Sequence, residues 1–245
     1  MMKLLEFPHS HYCEKARWAL DFKKIPFQAV AIMPGFHLIS VRQYAADTCV
    51  PLLINDKQAI QGSSEIIDYL EQQYPTRLLT PLDEKKRQEC LALESDMDVR
   101  IGESIRQILY SSLLNYPAFI RACFTHGMPR YKKLLFSLTY PFLRIKMKQK
   151  YVVSTEKVEQ AKITFHEAIN DIENRLRKSE YLMDDEFTRA DLTVASMLSF
   201  LVLPPEHPFP FIEYPAKEAR MFCQEYEKHP VSEWVKKMYF KHRSV

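Results

Sequence analysis

Glycine is scarce in this chain, and its scarcity limits the folds that the chain can adopt. Four glycines stand against fifteen prolines among 245 residues. Glycine supplies many tight turns, whereas proline ends helices. The composition therefore argues against a fold with many tight hairpins and predicts a mostly helical chain with short connections.

Cysteine shows no pattern that would indicate a disulfide framework or a metal site. The chain has five cysteines, an odd number, at widely spaced positions: Cys13, Cys49, Cys90, Cys123 and Cys223. Metal-binding cysteines come in closely spaced pairs, and none is present. We therefore expect no metal and a reducing compartment.

Long apolar runs and a strong charge bias are also lacking. The most apolar stretch, 134–142, is interrupted by Pro141 and is shorter than the roughly 20 apolar residues of a membrane span. The net charge of +3 is too small to indicate nucleic acid. We interpret the basic clusters at 130–133, 144–150 and 236–243 as solvated helix faces. No signal-peptide core is found near residue 1, so we expect a cytoplasmic protein without a membrane span.

What the chain does contain is a strand that runs directly into a helix. Residues 1–7 are typical of a short strand, and a helical pattern begins after Pro8 with Ser10 as its N-cap. The first N–H groups of a helix lack partners within it and attract phosphate, carboxylate or thiolate. Ser10 and Cys13 lie in this first turn, which makes it the candidate site.

Three further strand patterns and a second helix complete the first part of the chain. The strand patterns cover 25–32, 49–56 and 58–61. The order strand, helix, strand predicts a parallel crossover, and the last two strands lie at hairpin distance. The second helix spans 62–74, and Ser63 or Ser64 is predicted to cap it. These elements predict a four-stranded mixed sheet with helices.

Prolines mark the domain boundary, and only helical patterns follow it. The stretch 75–82 contains two prolines and no periodicity. We therefore predict one domain at 1–76 and an all-α domain at 83–245, in which Pro141 separates two helical pieces.

One helix of this second part is apolar on all sides, which predicts that it is buried at the centre of the domain. It spans 192–203 and follows Thr188 and Asp191, which have the spacing of a capping box.

Four motifs follow one another along the chain: Ser10-x-x-Cys13, Val50-Pro51, Gly62-Ser63-Ser64 and Thr188-Arg-Ala-Asp191. Together they resemble the cytosolic glutathione transferase superfamily, in particular its bacterial and chi-like members. The resemblance implies a thioredoxin-like N-terminal domain that binds glutathione, an all-α C-terminal domain, a homodimer and a role in detoxification.

The resemblance also implies roles for single residues. The backbone of Val50 would pair with the cysteinyl part of glutathione, and Pro51 would be cis. Ser63, together with Ser64, would bind the γ-glutamyl carboxylate. Ser10 takes the position that faces the glutathione sulfur.

Two positions depart from the family pattern. An acidic residue often precedes the carboxylate-binding serine, but here Gly62 does. A lysine often precedes Val-Pro, but here Cys49 does. Contacts to the amine and the glycyl carboxylate of glutathione are therefore unassigned, and His37 and Arg42 are candidates for the carboxylate.

Three functions remain open at this point. In the first, glutathione is a co-substrate whose thiol, activated by Ser10 or by Tyr12, attacks a small hydrophobic electrophile between the domains. In the second, Cys13 acts as the nucleophile of a thiol-disulfide oxidoreductase or deglutathionylase, although it also fits a buried helix position. In the third, the chain is a non-catalytic binding module.

Overall fold

A four-stranded sheet forms the centre of the N-terminal part in the computed structural model, which describes residues 1–152, 154–184 and 186–243. The strands are β1 (Met2–Glu6), β2 (Phe27–Ala31), β3 (Leu52–Asn55) and β4 (Gln58–Gln61). Their order across the sheet is β2-β1-β3-β4. β1 and β2 run parallel, whereas β3 is antiparallel to both β1 and β4. The predicted mixed sheet is therefore confirmed.

Three helices accompany the sheet: α1 (His11–Phe22), α2 (His37–Val41) and α3 (Ser63–Gln73). Ser10 is the N-cap of α1, as predicted. The N-cap of α3 is Gly62, so the prediction that Ser63 or Ser64 caps this helix is wrong. Gly62 has a φ of 107°, a conformation that residues with side chains rarely adopt. The left-handed turn at Gly62 places both serines inside the helix.

The remainder of the chain is helical, as expected. A π-helical turn, Asp98–Glu103, joins α4 to α5, and a second one, Lys148–Val152, follows α7. No helix within the described ranges combines the length and the apolarity that crossing a membrane requires. The helices are α4 (Glu84–Met97), α5 (Ser104–Leu113), α6 (Pro117–Phe124), α7 (Arg130–Met147), α8 (Thr155–Leu176), α9 (Arg189–Met197), α10 (Ser199–Val202), α11 (Lys217–Tyr226) and α12 (Pro230–His242).

Pro141 does not separate two helices but lies inside α7, so that prediction is wrong. Phe136 and Tyr140 before the proline and Met147 after it are all buried. Packing of this one face against the protein carries the helix through the proline, although proline removes one backbone hydrogen bond.

The buried helix at the centre of the helical part is confirmed, but it is shorter than predicted. Every residue of α9 is buried. The pattern over 192–203 is broken at Leu198, which lies between α9 and α10. The predicted capping box is present: the backbone N–H of Thr188 donates to a carboxylate oxygen of Asp191 at 2.9 Å. Burial raises the pKa of Asp191 to about 6.

Candidate functional site

Three segments that the sequence singled out meet at one edge of the sheet. Leu5 of β1 faces Leu52 of β3, and Leu52 in turn faces Gln61 of β4. The turn after β1, the Val50–Pro51 pair before β3 and the start of α3 therefore lie side by side. The N–H of Gly62 donates to the carbonyl of Pro51 at 3.0 Å. The Val50–Pro51 bond is cis, as the resemblance implies.

Ser10 lies at the N-terminus of α1, and capping the helix leaves the O–H of its side chain free to donate a hydrogen bond. Its hydroxyl oxygen accepts a hydrogen bond from the N–H of Cys13 at 3.4 Å. A hydroxyl that accepts in this way still has its own O–H to donate. Ser10 is half-buried, so a ligand at the edge of the sheet can reach this donor.

The two rivals of Ser10 are occupied elsewhere. Cys13 is completely buried, and burial raises the pKa of its thiol to about 12. The hydroxyl of Tyr12 donates to the backbone carbonyl of Asp98 at 2.6 Å, and burial raises its pKa as well. Tyr12 therefore points to the helical part of the chain, and Cys13 has the surroundings of a packed helix residue.

The two histidines of this turn are held neutral inside the protein. Burial lowers the pKa of His9 to about 3, and its ring stacks on Phe124 at a centroid distance of 4.2 Å. Burial also places the pKa of His11 well below its usual value, and the Arg106 charge adds to this effect. Neither ring is suited to exchange protons with a ligand near neutral pH.

Val50 and Ser63 present polar groups without partners at the same edge. In the part of the chain that the structure describes, no hydrogen bond joins the backbone of Val50 or the hydroxyl of Ser63 to another residue. Val50 is half-buried, and Ser63 lies in the first turn of α3, whose N–H groups attract carboxylates. This edge can therefore pair with an extended peptide and hold a carboxylate beside it.

Ser64 belongs instead to a buried network of charges between the two parts of the chain. The ammonium of Lys15 lies 2.9 Å from the Ser64 hydroxyl, 2.6 Å from the Asp98 carboxylate and 2.8 Å from the Glu94 carboxylate. Burial alone would raise the pKa of Glu94, but the charges of Lys15 and Arg189 outweigh it and lower the pKa. The network fixes the start of α3 against α4.

The sequence reasoning did not find Glu65, which takes the space beside Gly62. A side chain built on Gly62 would collide with the carboxylate of Glu65. The chain thus carries a carboxylate next to position 62, where the resemblance leads us to expect an acidic residue. The signal was present in the sequence, because Glu65 lies in the first turn of the same helix.

Lys150 is a second residue that the sequence reasoning did not assign to the site. Burial lowers the pKa of His37, and the nearby Lys150 ammonium lowers it further. Burial raises the pKa of Cys49, and Lys150 opposes this rise. The positive charge of Lys150 therefore acts on His37 and on Cys49, the residue that stands where the resemblance leads us to expect a lysine. Nothing in the sequence indicates this influence, since about a hundred residues separate Lys150 from Cys49. Arg42 is exposed.

The helical side of the site is aromatic and cationic. The Arg106 guanidinium of α5 lies 5.7 Å from the ring centre of Tyr12 and 4.6 Å from that of Tyr151. Tyr110 packs edge-on against Tyr151 at 5.7 Å. These residues approach the first turn of α1 and add a positive charge to that of Lys150.

Comparisons with known proteins identify the N-terminal part of the chain. Residues 4–78 match the family model described as glutathione S-transferase, N-terminal domain. A maleylpyruvate isomerase from Ralstonia sp is 36% identical over 118 residues, which are 47% of this chain and 54% of that protein. The match therefore spans about half the length of this relative.

Solved structures extend the similarity to the whole chain. The beta-etherase LigF from Sphingobium sp. strain SYK-6 has a TM-score of 0.64 at 20% identity, covering 98% of this chain and 99% of that one. The glutathione S-transferase CsGST63524 of Ceriporiopsis subvermispora, in complex with glutathione, has a TM-score of 0.62 at 15% identity, covering 100% and 98%. Residues 4–78 therefore belong to the glutathione S-transferase N-terminal domain family, and the chain as a whole has the glutathione S-transferase fold.

Proposed function

We propose that this protein binds glutathione at the sheet edge and uses the Ser10 hydroxyl to stabilise the glutathione thiolate for attack on a small electrophile. The observation that carries the proposal is the meeting of three groups at this edge: the free donor of Ser10, the unpaired backbone of Val50 and the N-terminus of α3 at Ser63. Each group matches one chemical feature of the tripeptide.

The tripeptide would be held along its whole length. Val50 pairs with the backbone of the cysteinyl residue, and Ser63 with the N-terminus of α3 holds the γ-glutamyl carboxylate. Glu65 supplies a negative charge for the amine of glutathione, because Gly62 has no carboxylate that could do so. Lys150, with His37 beside it, takes the glycyl carboxylate in place of a lysine at position 49.

The free energies involved are sufficient without a general base. Lowering the pKa of a thiol by about two units requires roughly 2.7 kcal/mol of preferential stabilisation of the thiolate. A hydrogen bond to a charged group contributes about 1.5–3 kcal/mol, and a helix N-terminus adds about 0.3–1 kcal/mol. Ser10 and the tip of α1 together reach the required amount.

The burial of Cys13 counts against the redox alternative. A thiolate attacks disulfides, and the pKa of about 12 keeps Cys13 protonated near neutral pH. The proposal therefore assigns catalysis to Ser10 and a packing role to Cys13.

A second candidate reaction is the isomerisation of an unsaturated acid, because the relative from Ralstonia is named for such a reaction and the wall of the site carries Arg106 and Lys150. A thiolate can add to an electron-poor cis double bond, which then rotates as a single bond. Expulsion of the thiolate returns the trans isomer and free glutathione. The two cations would hold the carboxylates of such a substrate.

The test combines calorimetry with activity on the wild type, S10A and C13S. We expect glutathione to bind all three proteins, and S10A to lose conjugation of a chloronitroaromatic or isomerisation of maleylpyruvate while C13S retains it. Loss of reductase activity in C13S would establish the redox alternative. Absence of binding at millimolar glutathione would leave a non-catalytic binding module.

A further inference from the structure

The positive charge of this protein is concentrated in one segment of the helical part. Residues 104–155 contain nine of the 34 lysines and arginines and none of the 31 aspartates and glutamates. The other residues therefore hold 25 basic and 31 acidic side chains, so a cationic segment is joined to an anionic remainder. Helix α7 is the longest helix of this segment.

Helix α7 exposes a continuous apolar stripe on the side that faces away from the protein. Its members recur every three or four residues, the spacing of one helix face, and 55–76% of each is exposed. The opposite face, with Phe136 and Tyr140, is buried. A surface helix normally presents polar residues to water, so this second apolar face needs a partner. The stripe consists of Tyr131, Leu134, Leu138, Phe142 and Ile145.

Basic side chains flank this stripe and lack acidic partners. In the described ranges, none of the cations of α7 forms an ion pair with a carboxylate. By contrast, the exposed Lys162 and Lys236 pair with Glu159 and Glu233 within their own helices. The flanking cations are Arg130, Lys132, Lys133 and Lys146. The guanidinium of Arg144 instead donates to the side-chain oxygen of Asn115.

A cleft next to the stripe is suited to an anionic group. It lies between α6 and α7, has a volume of about 440 Å³, and is lined by three cations, Arg121, Arg130 and Lys133. Leu134 of the apolar stripe forms part of its wall. An occupant with a phosphate next to an acyl chain would satisfy both the cations and the leucine.

We propose that α7 docks on the surface of an anionic lipid bilayer, with its axis in the plane of the membrane. The apolar stripe enters the boundary between headgroups and acyl chains, and the flanking cations contact lipid phosphates. Amphipathic helices with a basic polar face bind membranes in this way. The helix lies on the bilayer and does not cross it.

Two other occupants fit the surface less well. A second copy that docked through the same face would bring two sets of unpaired cations together, which is repulsive. A nucleic acid would satisfy the cations but would leave Leu134, Leu138 and Ile145 without an apolar partner. The bilayer satisfies both features at once.

Co-sedimentation of the full chain with vesicles tests the proposal. One set of vesicles contains phosphatidylcholine alone, and the other contains phosphatidylcholine with one quarter phosphatidylglycerol. We expect binding to the anionic vesicles that weakens as salt is added, and at least about tenfold weaker binding to the neutral ones. Equal binding to both sets, or binding to neither, would overturn the proposal.

Variants assign the binding to the surface. L138Q/F142Q removes part of the stripe and R130Q/K133Q removes cations of the cleft, and each is expected to weaken binding about tenfold or more. F240Q is the matched control, because Phe240 is an equally exposed apolar residue on α12. Thermal unfolding checks that each variant is folded. Unchanged vesicle binding in L138Q/F142Q, or conversion of a dimer to a monomer by this variant, would contradict membrane docking.

Discussion

The buried ammonium of Lys15 lies 2.6 Å from the carboxylate of Asp98 and joins the first helix of the sheet domain to the helical part of the chain. Both residues also contact Ser64, next to the serine that is proposed to bind glutathione. One buried cation thus holds together α1, α3 and the end of α4, the helices that border the candidate site. We expect the stability of the protein and the geometry of the site to depend on it.

Substitution of Lys15 should strongly destabilise the protein. In K15M, the buried carboxylate of Glu94 and the partly buried carboxylate of Asp98 lose the ammonium group that they share. Breaking a buried ion pair on one side costs about 3–5 kcal/mol, and urea unfolding would measure the loss. K162M is the control, since the Lys162–Glu159 pair is exposed and contributes about 0–1 kcal/mol. Similar losses in the two variants would contradict this role of Lys15.

The two serines at the start of α3 should have separable effects. S63A removes a hydroxyl that has no partner in the described structure, so we expect unchanged unfolding but about tenfold weaker glutathione binding, because a hydrogen bond to a charged group is lost. S64A removes a member of the buried network, so it should lower the unfolding free energy by about 1–3 kcal/mol. Calorimetry would measure glutathione binding, and urea unfolding would measure stability, in both variants. Glutathione binding that S63A leaves unchanged, or a loss of stability in S63A rather than in S64A, would contradict this assignment of roles.

The assignment of Lys150 to the glycyl carboxylate can be tested with a modified ligand. Glutathione whose glycyl carboxylate is esterified lacks the charge that Lys150 is proposed to bind. We expect the wild type to bind this ester about tenfold more weakly than glutathione, and K150Q to bind both ligands alike. K146Q is the control, because Lys146 lies on the outer side of α7. If K150Q still discriminated between the ligands, another residue would hold the carboxylate.

The burial of His9 makes a prediction about acid stability. Its pKa is lowered to about 3 by burial, whereas an unfolded histidine titrates near 6.5. Between these values the unfolded chain binds a proton that the folded chain does not. The stability supplied by neutral His9 is therefore complete above pH 6.5 and is lost as the pH falls towards 3.

H9F retains the stacking on Phe124 and removes this titration. From about pH 6 to about pH 5, its unfolding free energy should fall less steeply than that of the wild type, by about 1 kcal/mol per pH unit. H126F is the matched control, since the side chain of His126 is exposed in the folded protein. Parallel pH profiles for the wild type and H9F would show that His9 is not kept neutral in the folded protein.

Features that depend on neighbouring residues could be predicted from the sequence. The strand before Pro8, the cap at Ser10 and the capping box of Thr188 and Asp191 each follow from residues within one helical turn. The N-cap of α3 was predicted wrongly because serine is a more common N-cap than glycine. Only the backbone of the folded chain shows that Gly62 adopts a left-handed conformation. The prediction that Pro141 separates two helices was wrong because tertiary packing outweighs the local cost of a proline in a helix.

Contacts between distant parts of the chain could not be predicted in the same way. Asp98 and Lys15 are separated by 83 residues, and no periodicity relates them. The same holds for the influence of the Lys150 charge on His37 and Cys49. The apolar stripe of α7 was visible in the sequence as an apolar stretch, but only the fold shows which of its two faces is buried.

The central claim, that the Ser10 hydroxyl stabilises a glutathione thiolate at the tip of α1, is tested most directly by titrating the thiol of bound glutathione. The ultraviolet absorbance of the thiolate would be followed against pH in the wild type and in S10A. We expect the bound thiol to titrate about two pH units below free glutathione in the wild type, and at least about one unit higher in S10A. A bound thiol that titrates like free glutathione, or identically in the two proteins, would contradict the claim.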